Sequence, residues 1–387
     1  MSKSLVLNGN HAAAEALRQI NPDVFGFYPI TPTSYIGEKF SKYVADNKVD
    51  TEYVSAESEH AAMSICVGAA AAGGRAVTAT ASQGLLLMTE VLWNASGMRL
   101  PIVLINGNRA LGAPLSIHGD HNDIMSVRDC GWIQLFAKDA QEVYDFLICS
   151  FLISEHKQVR TPIMVCMDCF QTTHTMMNIN IETDEKIKKF VGETICENPL
   201  LDIKNPIAYG NYTNPEFYME FRRQQLEGII NSEPQIKTIF SNFSKNFGRE
   251  NDNLIETYQC KNAEIIVVVL GSTYETLKRS IDFLRKKEKK VGLVRLKIFR
   301  PFPDKELKKI LGESKKTLVL DRMSPAGAQF GALGLEISNI FINEKKSPEI
   351  KNAIYGLGGR ETHFKDFVNL IENFDKLKIT PQWVNLK

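Results

Sequence analysis

The sequence has no apolar run long enough to cross a membrane. Its longest apolar stretches, Ala263 to Gly271 and Pro101 to Ile105, have only the length of a strand, whereas a spanning helix needs about 20 apolar residues. The N-terminal residues MSKSLVLNGNHAAAEAL lack the continuous apolar core of a signal peptide. We therefore expect no membrane segment and a cytoplasmic protein.

The sequence also lacks an excess of either charge. Its 46 basic and 45 acidic residues leave a formal net charge of +1, so there is no electrostatic reason to expect nucleic acid or a membrane surface as a partner. With 44% hydrophobic residues in 387 positions, the chain is long enough for two domains, each with its own core.

Cysteine is too sparse and scattered to form a disulfide framework. The seven cysteines are odd in number, and only Cys166 and Cys169 form a CxxC pair. A zinc or iron–sulfur site normally takes four protein ligands, and no second CxxC exists. Because the pair ends an apolar strand, we interpret both cysteines as core residues.

Nucleotide-binding motifs are missing as well. The turns Gly271-Ser272 and Gly356-Leu357-Gly358-Gly359 resemble phosphate-binding loops, but no GxGxxG opens a helix after a suitable strand and there is no GK[ST]. Neither a dinucleotide fold nor a P-loop enzyme is indicated.

What the sequence does contain is a repeated alternation of apolar strands and helices. Strands are predicted at 24–29, 51–56, 75–81, 101–106, 132–137 and 161–167, and again at 264–270, 291–297, 316–321 and 352–356. Continuous apolar strands separated by helices are typical of a doubly wound parallel sheet, so the fold class is α/β. We predict one α/β domain over 1–180, a connector over 181–260 with a helix near 214–247, and a second α/β domain over 261–387.

Four turns of the first domain follow strands, at 28–31, 55–59, 82–84 and 106–109. Ligands of such sheets bind beyond the carboxyl ends of the strands, so this edge is the predicted site. Its helix 58–73 is unusually rich in Ala and Gly, which suggests the close approach of another backbone or a ligand. Ser58 is a candidate N-cap, and Glu57 and Glu59 flank it. From these residues alone, the two glutamates could equally serve only the helix terminus.

Several motifs carry a family resemblance. They are YPITP at 28–32, SEHAAM at 58–63, TASQGL at 80–85, NGNRALGAPLSIHGDHND at 106–123, RLKIFRPFP at 295–303, LVLDRMSPAG at 318–327 and YGLGGRET at 355–362. In this order they resemble the alpha subunit of pyruvate:ferredoxin oxidoreductases, thiamine-diphosphate enzymes of the 2-oxoacid:ferredoxin oxidoreductase superfamily. The resemblance implies a pyrimidine-binding domain followed by a transketolase C-terminal-like domain.

The resemblance also implies residue roles. Glu59, rather than Glu57, matches the glutamate that hydrogen-bonds the cofactor's pyrimidine and drives it towards its imino tautomer. Thr31 and Arg109 match positions that hold the substrate carboxylate, a task suited to the planar guanidinium of arginine. Pro29, Ile30 and Gln83 match further cofactor-binding positions.

Partner subunits are implied because the chain has no GDG motif for a diphosphate-bound Mg²⁺ and too few clustered cysteines for iron–sulfur centres. By the resemblance, a beta subunit supplies the Mg²⁺ site and a 4Fe–4S cluster. A delta subunit supplies two further clusters, and a gamma subunit is linked to coenzyme A use. Pyruvate, coenzyme A and ferredoxin (or flavodoxin) are then the reaction partners.

Four alternatives remain open. The loop holding His118, Asp120, His121 and Asp123 could bind a divalent metal, as in a metal-assisted hydrolase. The substrate could be another 2-oxoacid, such as 2-oxoisovalerate. The chain could belong to a lipoamide-type 2-oxoacid dehydrogenase, or be a binding subunit without a catalytic group.

Overall fold

The structure is a computed structural model that describes residues 3–194, 196–249, 251–378 and 380–387. Within these residues six strands from the first half of the chain and one from the second, β12, form a seven-stranded sheet in the order β12-β6-β7-β5-β4-β2-β3. Its strands are β2 (Val24–Phe27), β3 (Glu52–Ser55), β4 (Ala76–Thr80), β5 (Ile102–Asn108), β6 (Ile133–Ala137), β7 (Ile163–Asp168) and β12 (Ile298–Arg300). All neighbours are parallel except β12, which runs antiparallel to β6.

Helices cover both faces of this sheet, as its wholly buried central strands require. They are α1 (Gly9–Ile20), α2 (Ser34–Ala45), α3 (Glu59–Ala72), α4 (Ser82–Leu87), α5 (Thr89–Gly97), α6 (Asn122–Ser126) and α7 (Ala140–Glu155). Between β4 and β5 the chain forms two helices, α4 and α5, which meet at Met88.

The second half builds a six-stranded sheet in the order β15-β14-β13-β10-β11-β9. Its strands are β9 (Ile255–Tyr258), β10 (Ile265–Leu270), β11 (Val291–Leu296), β13 (Lys316–Asp321), β14 (Glu349–Ile354) and β15 (Gln382–Trp383), with helices α10 (Thr273–Lys286), α11 (Asp304–Leu311), α12 (Ala332–Asn339) and α13 (Phe364–Glu372). Only β9 is antiparallel to its neighbour.

The remaining elements join the two halves. The strands β1 (Lys3–Leu7) and β8 (Met177–Ile181) form an antiparallel pair, and the helices α8 (Asp184–Val191) and α9 (Pro215–Phe247) lie in the predicted connector. The connector is not only a link, because Ile236, Phe240 and Phe243 of α9 are fully buried, and Phe240 stacks on Phe146 of α7 at 5.5 Å. The connector is therefore partly core.

The two sheets are held together by apolar and ionic contacts. One apolar cluster contains Leu104 and Phe136 from the first sheet with Val268 and Val294 from the second. In addition, the fully buried Arg295 of β11 bonds Glu142 of α7 at 2.6 Å. The two domains are consequently one packed body, with the α/β class that the sequence predicts.

Candidate functional site

The four turns predicted to converge do so because β5, β4, β2 and β3 are adjacent, parallel strands. Each turn leaves the carboxyl end of its strand at the same edge of the sheet. This edge gathers Glu59, Arg109, Thr31 and Gln83.

Glu59 is the first residue of α3 and is only 6% exposed. Ser58 caps the helix, its Oγ accepting from the Ala61 amide at 3.1 Å, and this fixes the backbone from which Glu59 projects. Glu57, two residues earlier, is exposed. Glu59 is therefore buried and Glu57 is not, which agrees with the resemblance in favouring Glu59 as the cofactor contact. The role of Glu59 itself stays a prediction.

The carboxylate of Glu59 lies against the glycine of α4. A Cβ added at Gly84 would be 2.6 Å from Glu59 Oε1 and 2.6 Å from Thr80 Oγ1. Among the described residues, the buried Thr80 hydroxyl beside this carboxylate has no hydrogen-bond partner. Because buried polar groups are normally bonded, this hydroxyl suits a ligand that offers its own polar atoms.

Arg109 follows β5 and is 7% exposed. One terminal nitrogen donates to the Thr31 carbonyl at 2.6 Å, and the other reaches Gln83 Oε1 at 3.4 Å. The structure therefore brings together three residues whose numbers are far apart. The Arg109 Nε has no protein partner within the described residues, so the guanidinium keeps donor capacity for an anion.

The turn that carries Thr31 is held from both sides. The Ile30 carbonyl accepts from the amides of Thr33 and Ser34 at 2.8 and 3.0 Å, and Asn10 of α1 donates to the Pro32 carbonyl at 2.9 Å. Pro29 and Thr31 are exposed, and Ile30 is half-buried. Pro29, Ile30 and Thr31 therefore lie on a rigid turn at the site edge of the sheet.

Three contributing residues were not identified from the sequence. Asp123 is fully buried, and its carboxylate accepts from the Ser82 and Arg109 amides. Ser82 sits in the left-handed region at φ 53° and donates its hydroxyl to the Ala110 carbonyl at 2.5 Å; it also contacts Gln83 Oε1. Thr80 lines the pocket of Glu59. Thr80 and Ser82 have a positional signal, since Thr80 ends β4 and Ser82 follows it, but Asp123 lies in α6 and has none.

The possible metal loop does not converge on one point. His121 Nε2 bonds Asp168 at 2.7 Å, and Asp120 accepts hydrogen bonds from the Asn122 and Gly358 amides. Asp123 accepts hydrogen bonds from the Ser82 and Arg109 amides. The ring of His118 lies against Phe170. In the part of the chain that the structure describes, no three His, Cys, Asp or Glu residues are grouped as metal ligands.

Asp168 ties this edge to the second domain. Besides His121, it accepts from the Ser272 amide and hydroxyl at 2.8 and 2.6 Å, and Arg322 lies 3.5 Å away. Burial raises the pKa of this carboxyl, but His121, Arg322 and Ser272 outweigh burial and hold the pKa well below its usual range. Asp168 therefore stays ionised and anchors the loop from His118 to Asp123.

None of the helices that the structure describes combines the length and apolarity needed to cross a membrane.

Comparison with known proteins agrees with this architecture. Residues 15–241 match a family model described as pyruvate flavodoxin/ferredoxin oxidoreductase, thiamine diP-bdg, and residues 263–367 match pyruvate:ferredoxin oxidoreductase core domain II. The pyruvate synthase subunit PorA of Methanocaldococcus jannaschii is 42% identical over 100% of this chain and 99% of its own length. That of Thermotoga maritima is 43% identical over 92% of this chain and 91% of its own. The ketoisovalerate oxidoreductase subunit VorA of Pyrococcus horikoshii is 38% identical over 96% of this chain and 94% of its own.

Solved structures share the fold. The 2-oxoglutarate:ferredoxin oxidoreductase of Magnetococcus marinus, with 2-oxoglutarate, coenzyme A and succinyl-CoA bound, superposes with a TM-score of 0.72 at 18% identity, over 96% of this chain. This chain spans 65% of the length of that one. A split-gene transketolase gives a TM-score of 0.55 at 12% identity, over 96% of this chain and 99% of its own.

The fold and the site define a thiamine-diphosphate-binding domain joined to a transketolase C-terminal-like domain. More particularly, the chain belongs to the pyruvate flavodoxin/ferredoxin oxidoreductase family, whose members are enzyme subunits. The predictions of fold class, family and a 2-oxoacid oxidoreductase subunit are thereby confirmed.

Proposed function

We propose that the chain is the alpha subunit of a pyruvate:ferredoxin oxidoreductase, which converts pyruvate and coenzyme A to acetyl-coenzyme A and CO₂ while ferredoxin is reduced. The observation that carries the proposal is that the buried Glu59 lies at the same sheet edge as the Arg109–Thr31–Gln83 group. A 2-oxoacid decarboxylase of this kind needs a carboxylate that bonds the cofactor's pyrimidine and a cation that binds the carboxylate of the substrate.

Thiamine diphosphate, when bound, supplies the carbon nucleophile and electron sink for loss of CO₂. Glu59 would hold it by a hydrogen bond to a ring nitrogen and would exchange a proton with that nitrogen. Gly84 allows Glu59 the room that a Cβ would remove. Pro29, Ile30 and Gln83 would line the same pocket.

Arg109 would pair with the substrate carboxylate, helped by Thr31. Its terminal nitrogens are oriented by the Thr31 carbonyl and Gln83, and its Nε is still free of protein partners among the described residues. A preoriented guanidinium loses little freedom on binding, which favours both affinity and a fixed direction for the keto carbon.

We propose further that a beta subunit completes the site with the diphosphate-bound Mg²⁺ and a 4Fe–4S cluster, that a delta subunit carries two clusters, and that a gamma subunit serves coenzyme A. Ferredoxin or flavodoxin would accept the electrons. Support for a partner subunit comes from the connector, where several large apolar side chains are exposed, among them Leu201 73%, Ile203 92%, Tyr212 92% and Met219 77%. Such surfaces mark subunit contacts.

A contact of this kind also accounts for the small side chains of α3. Ser64 and Gly68 are exposed on this helix, and nothing lies within 4 Å of a Cβ added at Gly68. The seven cysteines, all free, and the oxygen-sensitive clusters proposed for the partners fit a reducing cytoplasm.

The test is Glu59→Gln in the assembled complex, with Glu57→Gln as the matched control. Because the amide cannot exchange a proton with the cofactor, pyruvate-dependent reduction of viologen should fall about 10²- to 10⁴-fold, whereas Glu57→Gln should leave it unchanged. Full activity in Glu59→Gln would show a binding subunit without a catalytic group.

The same assay separates the remaining substrates. The similarity to VorA of Pyrococcus horikoshii makes 2-oxoisovalerate the second candidate, and comparison of kcat/KM for pyruvate and 2-oxoisovalerate decides between them. Viologen reduction without added lipoamide would exclude a lipoamide-type dehydrogenase.

A further inference from the structure

Asp123 is a buried carboxylate, one oxygen of which accepts three hydrogen bonds from the site edge. It is the second residue of the short helix α6 and is 0% exposed. Oδ2 accepts from the Ser82 amide at 3.0 Å, the Arg109 amide at 3.1 Å and Asn106 Nδ2 at 3.1 Å. Oδ1 accepts from the Ile124 amide at 2.7 Å.

Two of these donors belong to residues that follow neighbouring strands. Ser82 opens α4 two residues after the end of β4, and Arg109 follows β5. Ser82 adopts φ 53°, a conformation that side chains other than glycine hold only when their surroundings enforce it. A single oxygen of Asp123 thus fixes the backbone on both sides of the gap between the Gln83 and Arg109 side chains.

Only a carboxylate can make this set of bonds. Both of its oxygens are acceptors without hydrogens, whereas an asparagine would turn an N–H group towards one of the donors. Burial raises the pKa of Asp123 to about 6, even though the Ser82, Arg109 and Asn106 donors lower it. The group is therefore held ionised near neutral pH by its donors.

We propose that Asp123 is a positioning residue for recognition of the 2-oxoacid carboxylate, acting through the backbone of Ser82 and Arg109 on the side chains of Gln83 and Arg109. The inference rests on the proposed function, because it takes Arg109 as the group that binds the substrate. Asp123 itself does not touch the substrate, since it is enclosed on all sides.

The experiment is Asp123→Asn in the assembled complex, with Asp120→Asn as the matched control. Asp120 lies on the same loop, is 3% exposed and also accepts backbone amides, from Asn122 and Gly358, but among the described residues it has no hydrogen bond to Ser82 or Arg109. We expect the pyruvate KM of Asp123→Asn to rise by up to roughly 10²-fold with a smaller fall in kcat. The control should keep the wild-type KM.

A double variant distinguishes positioning from general damage. If Asp123 acts through Arg109, then Asp123→Asn combined with Arg109→Lys should raise KM no further than Arg109→Lys alone, whereas independent effects multiply. An unchanged KM in Asp123→Asn, or multiplied effects in the double variant, would overturn the proposal. Should Asp123→Asn not assemble, Asp123→Ser, which retains one acceptor oxygen, is measured in the same way.

The proposed function fails in a different pattern. In that case the wild-type complex does not reduce viologen with any 2-oxoacid, or Arg109→Lys leaves KM unchanged. Failure of the present inference instead leaves the Arg109→Lys effect intact and removes only that of Asp123→Asn.

Discussion

At the scale of single residues, Arg109 shows how a side chain is prepared for an anion. Its two terminal nitrogens are already directed by the Thr31 carbonyl and by Gln83, so the fork is rigid before any ligand arrives. A lysine at this position has one ammonium group and cannot reproduce both directions.

We therefore predict that Arg109→Lys raises the pyruvate KM about 10- to 100-fold, the worth of a charged hydrogen bond, with a smaller change in kcat. Steady-state kinetics of the assembled complex measure both constants. Arg128→Lys is the control, because Arg128 also lies near this loop but contacts the Met125 carbonyl and, at 3.7 Å, the Asp129 carboxylate. Equal KM values for Arg109→Lys and wild type would contradict a substrate-binding role.

The sequence identified the residues whose chemistry is visible in their type and motif, such as Glu59 and Arg109. It did not identify Asp123 as part of the site, because its partners are backbone amides of Ser82 and Arg109. Such bonds exist only once two loops have their final shapes. In the sequence Asp123 was one of four residues of a possible metal site, an interpretation that the diverging side chains do not support.

At the scale of elements, the contact between α3 and α4 controls how Glu59 is placed. Gly84 lies in the first turn of α4, and a methyl group there would overlap Glu59 Oε1 and Thr80 Oγ1, each at 2.6 Å. Neither neighbour is a flexible chain end in open solvent, because Glu59 and Thr80 are both buried.

Gly84→Ala should consequently displace Glu59 and lower kcat on the order of 10²-fold, although no reacting group is changed. The comparison is Gly97→Ala at the end of α5, where nothing lies within 4 Å of the added Cβ. This control should keep full activity. Circular dichroism of both variants checks that the fold persists. Normal turnover in Gly84→Ala would mean that α4 can move without disturbing Glu59.

Most elements were predictable, but several short ones were not. Central strands such as β5 and β10 begin with consecutive apolar residues. A sequence pattern of this kind predicts a buried strand. In contrast, β9 and β12 are short and gain their stability from a partner strand distant in sequence. The depth of α9 was also missed, because a helix with mixed polarity does not reveal that Phe240 stacks on Phe146.

At the scale of the whole molecule, a buried ionic cluster joins the two domains. Arg295 is fully buried and bonds Glu142 at 2.6 and 2.9 Å and Glu256 at 2.6 and 3.1 Å. Lys138 adds a second cation at 3.1 Å from Glu256. Although burial raises the pKa of Glu256, Arg295 and Lys138 outweigh burial and lower it to about 2.

Arg295→Met should destabilise the chain by about 3–5 kcal/mol, because Glu142 and Glu256 lose the cation that compensates their burial. Urea titration followed by circular dichroism measures this as a lower unfolding midpoint. Arg279→Met on the exposed side of α10 should leave the midpoint in place. A stable Arg295→Met protein would mean that this ionic cluster is not needed to hold the two domains together.

The strand β12 is a second link between the two domains. Its residues, Ile298 to Arg300, follow the second domain's β11 in sequence but cover β6, the edge of the first domain's sheet. A chain that is still being synthesised cannot close this sheet until residue 300 has left the ribosome. A fragment cut at the predicted boundary near 260 would therefore carry an uncapped parallel edge, which invites strand pairing between molecules. No single position of the chain therefore divides the two domains, because the first sheet is complete only after the later strand β12 has been made.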